Sequence, residues 1–211
     1  MDPFDRDPSL LDRATEKVRD VKAWHTDEKP WAYTNFKKRT TSAESHYLYR
    51  VASLLGTGVY VDVGTMHGGS AATMGLGLRD SRTVGSIVCA DYFGTISGPH
   101  GGSAVAPERL RAYFENELRL WATLDLRTGE SSAVGRTFGC PIRFAFIDAC
   151  HDYEHCKADF EAWSPHVDIG GMIAFHDTHF LGVDRTIREL GPQWEQTQHV
   201  YSMKVFRKRR G

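Results

Sequence analysis

Three polar residues in the second half of the chain have types and positions that could bind a metal ion. Asp148 directly follows the apolar run 142–147, and His176 and Asp177 directly follow the apolar run 172–175. If both runs are neighbouring parallel strands, which lie about 4.8 Å apart, these side chains converge at one edge of a sheet. Two carboxylates and one imidazole suit Mg²⁺, Mn²⁺ or a similar cation, which would help a bound hydroxyl to ionise. The alternative is a His–Asp pair that only supports the fold.

A second histidine lies close to this predicted metal site. His151 follows Asp148 by three residues, and its ordinary pKa near 6.5 makes it a candidate general base for a hydroxyl group. Alternatively, it orients Asp148 or contacts the backbone where the next helix begins. Cys150, His155 and Cys156 lie nearby, but their spacing matches no common structural zinc site, and the helix would point Cys156 away from Cys150.

A glycine-rich turn in the first half of the chain predicts a ligand with a nucleoside. Residues 62–70 read DVGTMHGGS, follow a β-branched run and open a helix of small residues. A dinucleotide turn needs a glycine where Met66 stands, so a pyrophosphate is disfavoured, and no nucleoside triphosphate motif is present. Asp91 ends the next predicted strand, where its carboxylate can accept both hydroxyls of a ribose. A structural turn without a ligand is the alternative.

The elements around these residues alternate between strand and helix. Thr41 and Glu44 form a predicted capping box, which begins a helix that ends at Gly56. The predicted strands are 59–63, 86–91, 124–127, 142–148, 172–175 and 200–206, and the further helices are 70–78, 107–122, 153–163 and 183–190. Such alternation predicts an α/β fold with a mostly parallel sheet, covered by helices on both faces. Ligands of these sheets bind at the carboxyl ends of the strands.

The ordered set of motifs resembles a known family. V-D-V-G-T-x-x-G-G-S, a strand ending in Asp91, F-I-D-x-x-H-x-Y and G-G-x-I-A-F-H-D are similar to the motifs of class I S-adenosylmethionine-dependent methyltransferases. Within that class the chain resembles small metal-dependent O-methyltransferases of sugars and other secondary metabolites, over roughly residues 42–206. The resemblance implies a Rossmann-like three-layer fold, in which a seven-stranded, mostly parallel sheet has a reversed last strand.

The resemblance also implies roles for particular residues. The residues expected to bind S-adenosylmethionine are Asp62, Gly64, Thr65, Gly68 and Ser70 in the turn, Asp91 at the ribose, and Tyr92 and Ser131 near the adenine. The implied metal ligands are Asp148, His176 and Asp177, and the implied catalytic residues are Asp148 and His151. Many members of the family have a carboxylate where this chain has His176. Residues 1–40 are expected to form an N-terminal extension or lid, and residues 41–211 the catalytic domain that binds S-adenosylmethionine.

Composition narrows the classes of function. The 211 residues suffice for one domain, and a formal net charge of −1 gives no general attraction to nucleic acid or to an anionic membrane. No apolar run approaches the roughly 18 residues that cross a bilayer, and the acidic N-terminus lacks the core of a signal peptide. The four cysteines are expected to be reduced, which predicts a cytoplasmic protein.

The resemblance, together with these motifs, implies an O-methyltransferase that acts on a hydroxyl of a small glycosyl or polyhydroxylated acceptor. Nucleic acid and membranes are not expected partners, and a homo-oligomer is left open. Three alternatives are a metal-independent methyltransferase of the same fold, a non-catalytic subunit that binds the cofactor, and an NAD(P)-linked oxidoreductase. Met66 in the glycine turn argues against the oxidoreductase.

Overall fold

A computed structural model describes residues 40–93, 106–120 and 124–210 of the chain. The predicted N-terminal extension, apart from Thr40, lies outside the described residues, as does most of the glycine-rich segment 94–107. The helices are α1 (Ser42–Leu55), α2 (Gly69–Asp80), α3 (Pro107–Ala112), α4 (Ser131–Arg136), α5 (Tyr153–Trp163) and α6 (Leu181–Arg188). The strands are β1 (Gly58–Val63), β2 (Gly85–Asp91), β3 (Leu124–Thr128), β4 (Ile142–Ile147), β5 (Val167–Phe175), β6 (Trp194–Val200) and β7 (Met203–Lys208).

The seven strands form one sheet in the order β3-β2-β1-β4-β5-β7-β6. Strands β1 to β5 pair in parallel, whereas β7 runs antiparallel to both β5 and β6. Only β7 is therefore reversed, which confirms the predicted fold class. The order reverses at β1 and β4, so the carboxyl ends of these strands lie where open α/β sheets bind ligands.

Helices cover both faces of the sheet. All six residues of β4 are buried, because neighbouring strands flank it and helices cover it on both sides. Tyr47 of α1 and Phe144 of β4 belong to the hydrophobic cluster on one face, and Trp163 of α5 and Ile173 of β5 belong to the cluster on the other. No helix within the described ranges is both long enough and apolar enough to cross a membrane.

Helix α1 begins and ends as its sequence predicts. The Thr41 backbone N–H donates to Glu44 Oε2 at 2.8 Å, and the Glu44 N–H donates to Thr41 Oγ1 at 3.3 Å, which completes the capping box. Gly56 ends the helix at a φ of 79°, a conformation that disfavours residues with a Cβ. Ser42–Leu55 is thereby fixed at both ends, and Glu44 is placed in its first turn.

Some element boundaries predicted from sequence are wrong. The single closing strand predicted at 200–206 is split between β6 and β7 by a two-residue turn, with Val200 opposite Met203. The turn contains Tyr201 at a φ of 55° rather than the Asn-Gly pair typical of hairpins, so the sequence carries no turn signal. The helix predicted at 107–122 is α-helical only to Ala112 and continues as a π-helical turn, Tyr113–Glu117.

Candidate active site

The predicted site residues meet along the carboxyl edge of the sheet, held by hydrogen bonds that continue the strand ladder. The Gly64 N–H donates to the Ala90 carbonyl at 2.9 Å, and the Asp148 N–H donates to the Val63 carbonyl at 2.9 Å. The His176 N–H donates to the Ile147 carbonyl at 3.0 Å. The segments that follow β1, β4 and β5 are therefore adjacent, as the sequence predicts.

The glycine turn has a shape that side chains would destroy. Gly64 has a φ of 85°, and a Cβ built on it would lie 2.5 Å from both Ala149 Cα and the Asp148 carbonyl oxygen. Gly68 begins α2 at a φ of 76°, where a Cβ would lie 2.4 Å from a methyl carbon of Leu110. The turn therefore packs its backbone closely against the loop after β4 and against Leu110 of α3.

Asp62 is a buried carboxyl group with one oxygen unused. Ser70 Oγ donates to Asp62 Oδ1 at 2.7 Å, and Thr65 Oγ1 donates to the Asp62 carbonyl at 3.0 Å. Asp62 Oδ2 has no hydrogen-bond partner among the described residues. Burial raises the pKa of Asp62 to about 7, although the Ser70 hydrogen bond opposes this shift. A buried carboxyl oxygen of this kind is suited to a cationic or N–H donor supplied by a ligand.

Asp91 lies beside the turn, at the end of β2. Its two carboxylate oxygens accept from the Met66 N–H at 2.7 Å and the Phe93 N–H at 3.1 Å. The Gly129 N–H donates to the Asp91 carbonyl at 3.0 Å, which places the loop after β3 next to it. Ser131, the first residue of α4 after that loop, donates its hydroxyl to the buried carboxylate of Asp159. Tyr92, next to Asp91, is half-exposed.

Asp148, His151 and Asp177 form a compact group with metal-ligating atoms. One such atom from each lies within 4.8 Å of the other two. His151 Nε2 is 3.3 Å from Asp177 Oδ2 and 3.7 Å from Asp148 Oδ1, yet it makes no hydrogen bond within the described part of the chain. Asp148, together with Asp177, raises the pKa of His151 above its ordinary value. The group therefore brings two carboxylates and the ring nitrogen that lies between them to the edge of the sheet.

The positions of His151 and Asp177 are fixed by neighbours that the sequence did not indicate. The Phe180 ring stacks on the His151 ring at a centroid distance of 4.6 Å and an interplanar angle of 7°. Gly182 lies so close to the His151 carbonyl oxygen that a Cβ would be 2.3 Å from it. Asp177 has a φ of 51°, which non-glycine residues rarely adopt outside functional or tight-turn positions.

His176 is placed differently from the other three residues. Its side chain is 4% exposed, and its Nδ1 lies 3.0 Å from Asp148 Oδ1. Its Nε2 lies 3.3 Å from both Glu44 Oε2 and Ser202 Oγ. Burial opposes a charge on this ring, but the hydrogen bonds to Asp148 and Glu44 outweigh burial and raise the pKa of His176 to about 10. Both ring nitrogens are thus engaged by protein groups.

Glu44 is a residue of the site that sequence reasoning treated only as a helix cap. It is fully buried, and its Oε1 accepts from the Ser202 N–H at 3.0 Å and from Ser202 Oγ at 2.7 Å. Burial would raise the pKa of Glu44, but hydrogen bonds from His176, Ser202 and Thr41 lower it to about 2. No local pattern could have indicated these contacts, because Ser202 is 158 positions away in the chain.

A second group of possible ligands, Cys150, Asp152 and His155, lies next to the site at the start of α5. Cys150 Sγ is 3.6 Å from Asp152 Oδ2. Cys156 is buried, whereas Asp152 and His155 are exposed, so Cys156 does not join this group. All four cysteines of the chain are free thiols, in agreement with the expectation from sequence.

Comparison with known proteins identifies the family. A family model described as a methyltransferase domain matches residues 61–178, which is more than half of the chain and contains the turn, Asp91 and the Asp148 group. The chain therefore belongs to this family of methyltransferase domains. Its sheet, with a single reversed strand, is the class I methyltransferase fold.

Solved structures share this fold across almost the whole chain. The O-methyltransferase NovP has a TM-score of 0.68 and 16% identity, over 97% of this chain and 100% of NovP. CalS11, a TDP-rhamnose 3'-O-methyltransferase of calicheamicin biosynthesis, has a TM-score of 0.59 and 20% identity, over 93% of each chain. An O-methyltransferase from Bacillus cereus in complex with SAH has a TM-score of 0.58 and 16% identity, over 95% of this chain and 91% of that protein.

Proposed function

We propose that this protein is an S-adenosylmethionine-dependent O-methyltransferase, assisted by a divalent cation, whose acceptor is a hydroxyl of a sugar or another polyhydroxylated small molecule. The observation that carries the proposal is the position of Asp148, His151 and Asp177. These three residues lie together on the edge of the sheet, and the Gly64 turn packs directly against the backbone of Asp148. The residues proposed to accept the proton and the turn proposed to hold the methyl donor are therefore in contact.

The turn and its neighbours fit S-adenosylmethionine. The unpartnered Asp62 Oδ2 can accept from the ammonium of its methionine end. Gly64 lets the turn pack against the backbone of Asp148 and Ala149, which brings the turn next to the Asp148 group. Asp91 uses one acceptor site on each oxygen for a backbone N–H, and a carboxylate has further sites for two ribose hydroxyls. When bound, S-adenosylmethionine supplies an electrophilic methyl group. In the same proposal Thr65, Gly68 and Ser70 shape the turn, and Tyr92 and Ser131 lie toward the adenine.

The donor set at Asp148 fits a hard divalent cation such as Mg²⁺ or Mn²⁺. Asp148 and Asp177 provide carboxylate oxygens, which these cations prefer, and the group is open to water on one side. When bound, the cation supplies positive charge that favours an ionised acceptor oxygen. We therefore keep Asp148 and Asp177 as proposed ligands.

Our proposal departs from the sequence prediction at His176. A ligand nitrogen must have its lone pair free, but Nδ1 of this ring lies against Asp148 and Nε2 lies against Glu44. We assign His176 to hold Asp148 rather than to bind the cation directly.

His151 is the proposed proton acceptor. Its Nε2 lies 3.3 Å from Asp177 Oδ2 and 3.7 Å from Asp148 Oδ1, so the two carboxylates stabilise the proton that it accepts, while the stacked Phe180 ring fixes the plane of the imidazole. During transfer the acceptor oxygen forms a bond to the methyl carbon, the carbon–sulfur bond breaks, and the hydroxyl proton passes to His151 Nε2. The protein contributes orientation of the two reactants and stabilisation of the developing charge.

Two observations support a small glycosyl acceptor. CalS11, which shares the fold, is described as acting on TDP-rhamnose. In this chain Phe180 and Leu181 are exposed beside His151, so an acceptor with an apolar face could pack there while its hydroxyl reaches the site.

A methyl-transfer assay tests the proposed function. Consumption of S-adenosylmethionine is measured with a panel of glycosylated and non-glycosylated polyhydroxylated acceptors, with Mg²⁺ or Mn²⁺ and with EDTA. We expect turnover with at least one acceptor, and its loss in EDTA. Turnover that persists in EDTA-treated protein would contradict the cation's role, and binding of NAD(P) in place of S-adenosylmethionine would contradict the reaction class.

A further inference from the structure

We propose that Glu44 is a positioning residue of the active site, which holds His176 so that the imidazole in turn orients the Asp148 carboxylate. The inference rests on the proposed function, because it concerns the residue that we assign to the cation. It connects helix α1 to the reaction edge of the sheet through one line of contacts: Glu44, His176 and Asp148.

The burial of Glu44 is the first observation. A capping-box glutamate needs only its contact with the N-cap residue. Here the Glu44 side chain has an exposure of 0%. An ionised carboxylate is expensive to bury unless charged or hydrogen-bonding partners surround it. Stabilisation of a single helix end does not require such burial.

The second observation is that the two carboxylate oxygens of Glu44 contact different parts of the fold. Oε2 accepts from Thr41 and lies 3.3 Å from His176 Nε2, while Oε1 accepts from both the N–H and the hydroxyl of Ser202. Ser202 belongs to the turn between β6 and β7, and its carbonyl accepts from the Thr178 N–H at 2.9 Å. The carboxylate is therefore held by two distant parts of the fold and cannot rotate freely.

A fixed carboxylate at Nε2 determines how the His176 ring acts. With a carboxylate at Nε2, that nitrogen bears a proton and donates it, and the ring plane is set by the direction of Glu44. The opposite nitrogen, Nδ1, then points at Asp148 Oδ1 at 3.0 Å. Residues that hydrogen-bond to metal ligands orient those ligands, and their loss typically weakens metal affinity or activity by about 10- to 100-fold.

The direct test is Glu44→Gln, which preserves size but removes the charge and cannot accept all the hydrogen bonds that Glu44 accepts. We expect the Kd for Mn²⁺, followed by electron paramagnetic resonance, to rise by about 10- to 100-fold. We expect kcat to fall by a similar factor. The Kd for S-adenosylmethionine should stay unchanged, because Glu44 has no contact with Asp62, Gly64 or Asp91.

Thr41→Ala is the matched control. It removes the hydroxyl that caps the Glu44 N–H and donates to Glu44 Oε2, but it keeps the backbone N–H of residue 41 and both Ser202 donors, which hold the carboxylate against His176. It should lower Tm by about 2–4 °C without changing the Mn²⁺ affinity. A purely structural role for Glu44 predicts that both variants lose stability and that neither loses Mn²⁺ affinity. That result would overturn the inference.

A double-mutant comparison tests the route through His176. In a His176→Gln background, Glu44→Gln should cause no further loss of Mn²⁺ affinity, whereas equal losses in both backgrounds would show that Glu44 does not act through this ring. If Glu44→Gln shows no cooperative thermal transition, Glu44→Asp replaces it, because the shorter side chain keeps the charge but withdraws the carboxylate from His176 Nε2. A raised Kd for Mn²⁺ is then expected, and an unchanged Kd would overturn the inference.

Failure of the inference is distinguishable from failure of the proposed function. If the wild type binds no Mn²⁺, the proposed cation site is wrong and this inference falls with it. If the wild type binds Mn²⁺ and transfers methyl groups, while Glu44→Gln behaves like Thr41→Ala, only the inference is overturned.

Discussion

The candidate active site, at the carboxyl edge of the sheet, has two halves that are built in different ways. The cofactor half, residues 62–70 with Asp91, is shaped by local backbone geometry, because Gly64 and Gly68 adopt positive φ values and Asp91 accepts from the Met66 N–H. The half that contains Asp148 is oriented from a distance, by contacts that lead to α1 and to the β6–β7 turn. The first half should therefore be sensitive to added atoms, and the second to lost hydrogen bonds and charges.

The largest expected effect is on the second half. Asp148→Asn should lower kcat by about 10³–10⁴-fold, because it removes a carboxylate from the cation and leaves His176 without its charged acceptor. The Kd for S-adenosylmethionine should remain near that of the wild type. Steady-state kinetics and calorimetry check both values. Asp152→Asn, an exposed carboxylate next in the loop, is the control and should keep nearly full activity.

A somewhat smaller loss of rate is expected for His151→Ala. Removal of the proton acceptor should lower kcat by about 10²–10³-fold, while Mn²⁺ affinity changes little because Asp148 and Asp177 remain. His155→Ala, four residues further along in an exposed position, serves for comparison. If His151→Ala lost Mn²⁺ binding in proportion to rate, His151 would be a ligand of the cation rather than the base.

Gly64→Ala tests the first half. The new Cβ would overlap the backbone of Ala149 and force alanine into a φ of 85°, so the free energy of unfolding should fall by about 2–4 kcal/mol. S-adenosylmethionine affinity should fall as the turn shifts. Gly139→Ala places a Cβ with no heavy atom within 4 Å and should change stability by less than about 1 kcal/mol. Equal stability of the two variants in urea denaturation would contradict the crowding at Gly64.

The smallest effect concerns pH and Asp62. Because burial raises its pKa to about 7 from 3.8, the folded protein favours the neutral acid, and its contribution to stability is lost as pH rises from about 4 through 7. The ammonium of S-adenosylmethionine favours the ionised form instead. Affinity should therefore increase by about fivefold between pH 6 and 7, below the pKa of about 7.7–8.0 at which an α-ammonium loses its proton. Calorimetry on Asp62→Asn should show a flat profile.

The difference between the halves also explains what the sequence could predict. The turn is a contiguous motif between a strand and a helix, so the roles proposed for Gly64 and Asp91 follow from short patterns. Most strands were predictable for the same reason, but residues 194–199 of β6 were not predicted, and the Tyr201–Ser202 turn lacks a hairpin signal. Glu44 belongs to a recognisable capping box, but its contact with His176 depends on how α1 packs against the sheet.

The burial and the hydrogen-bond partners of His176 could not be predicted from the sequence, because both depend on tertiary packing. Its place after β5 correctly put it beside Asp148, yet only the packed structure shows that Glu44 and Ser202 occupy its other nitrogen. Phe180 lies three residues after Asp177 in the sequence. Its stacking on His151 likewise results from the close approach of α6 to the loop after β4. Spacing predicts which residues are neighbours, but not which atoms face each other.

One calorimetric titration tests the central claim most directly. S-adenosylmethionine is added to protein from which divalent cations have been removed with EDTA, and the titration is repeated after Mn²⁺ is restored. The account predicts binding in the micromolar range in both cases, because the turn and Asp91 form the cofactor half without help from the Asp148 group. Absence of binding in both cases would contradict the proposal that S-adenosylmethionine binds at the carboxyl edge of the sheet.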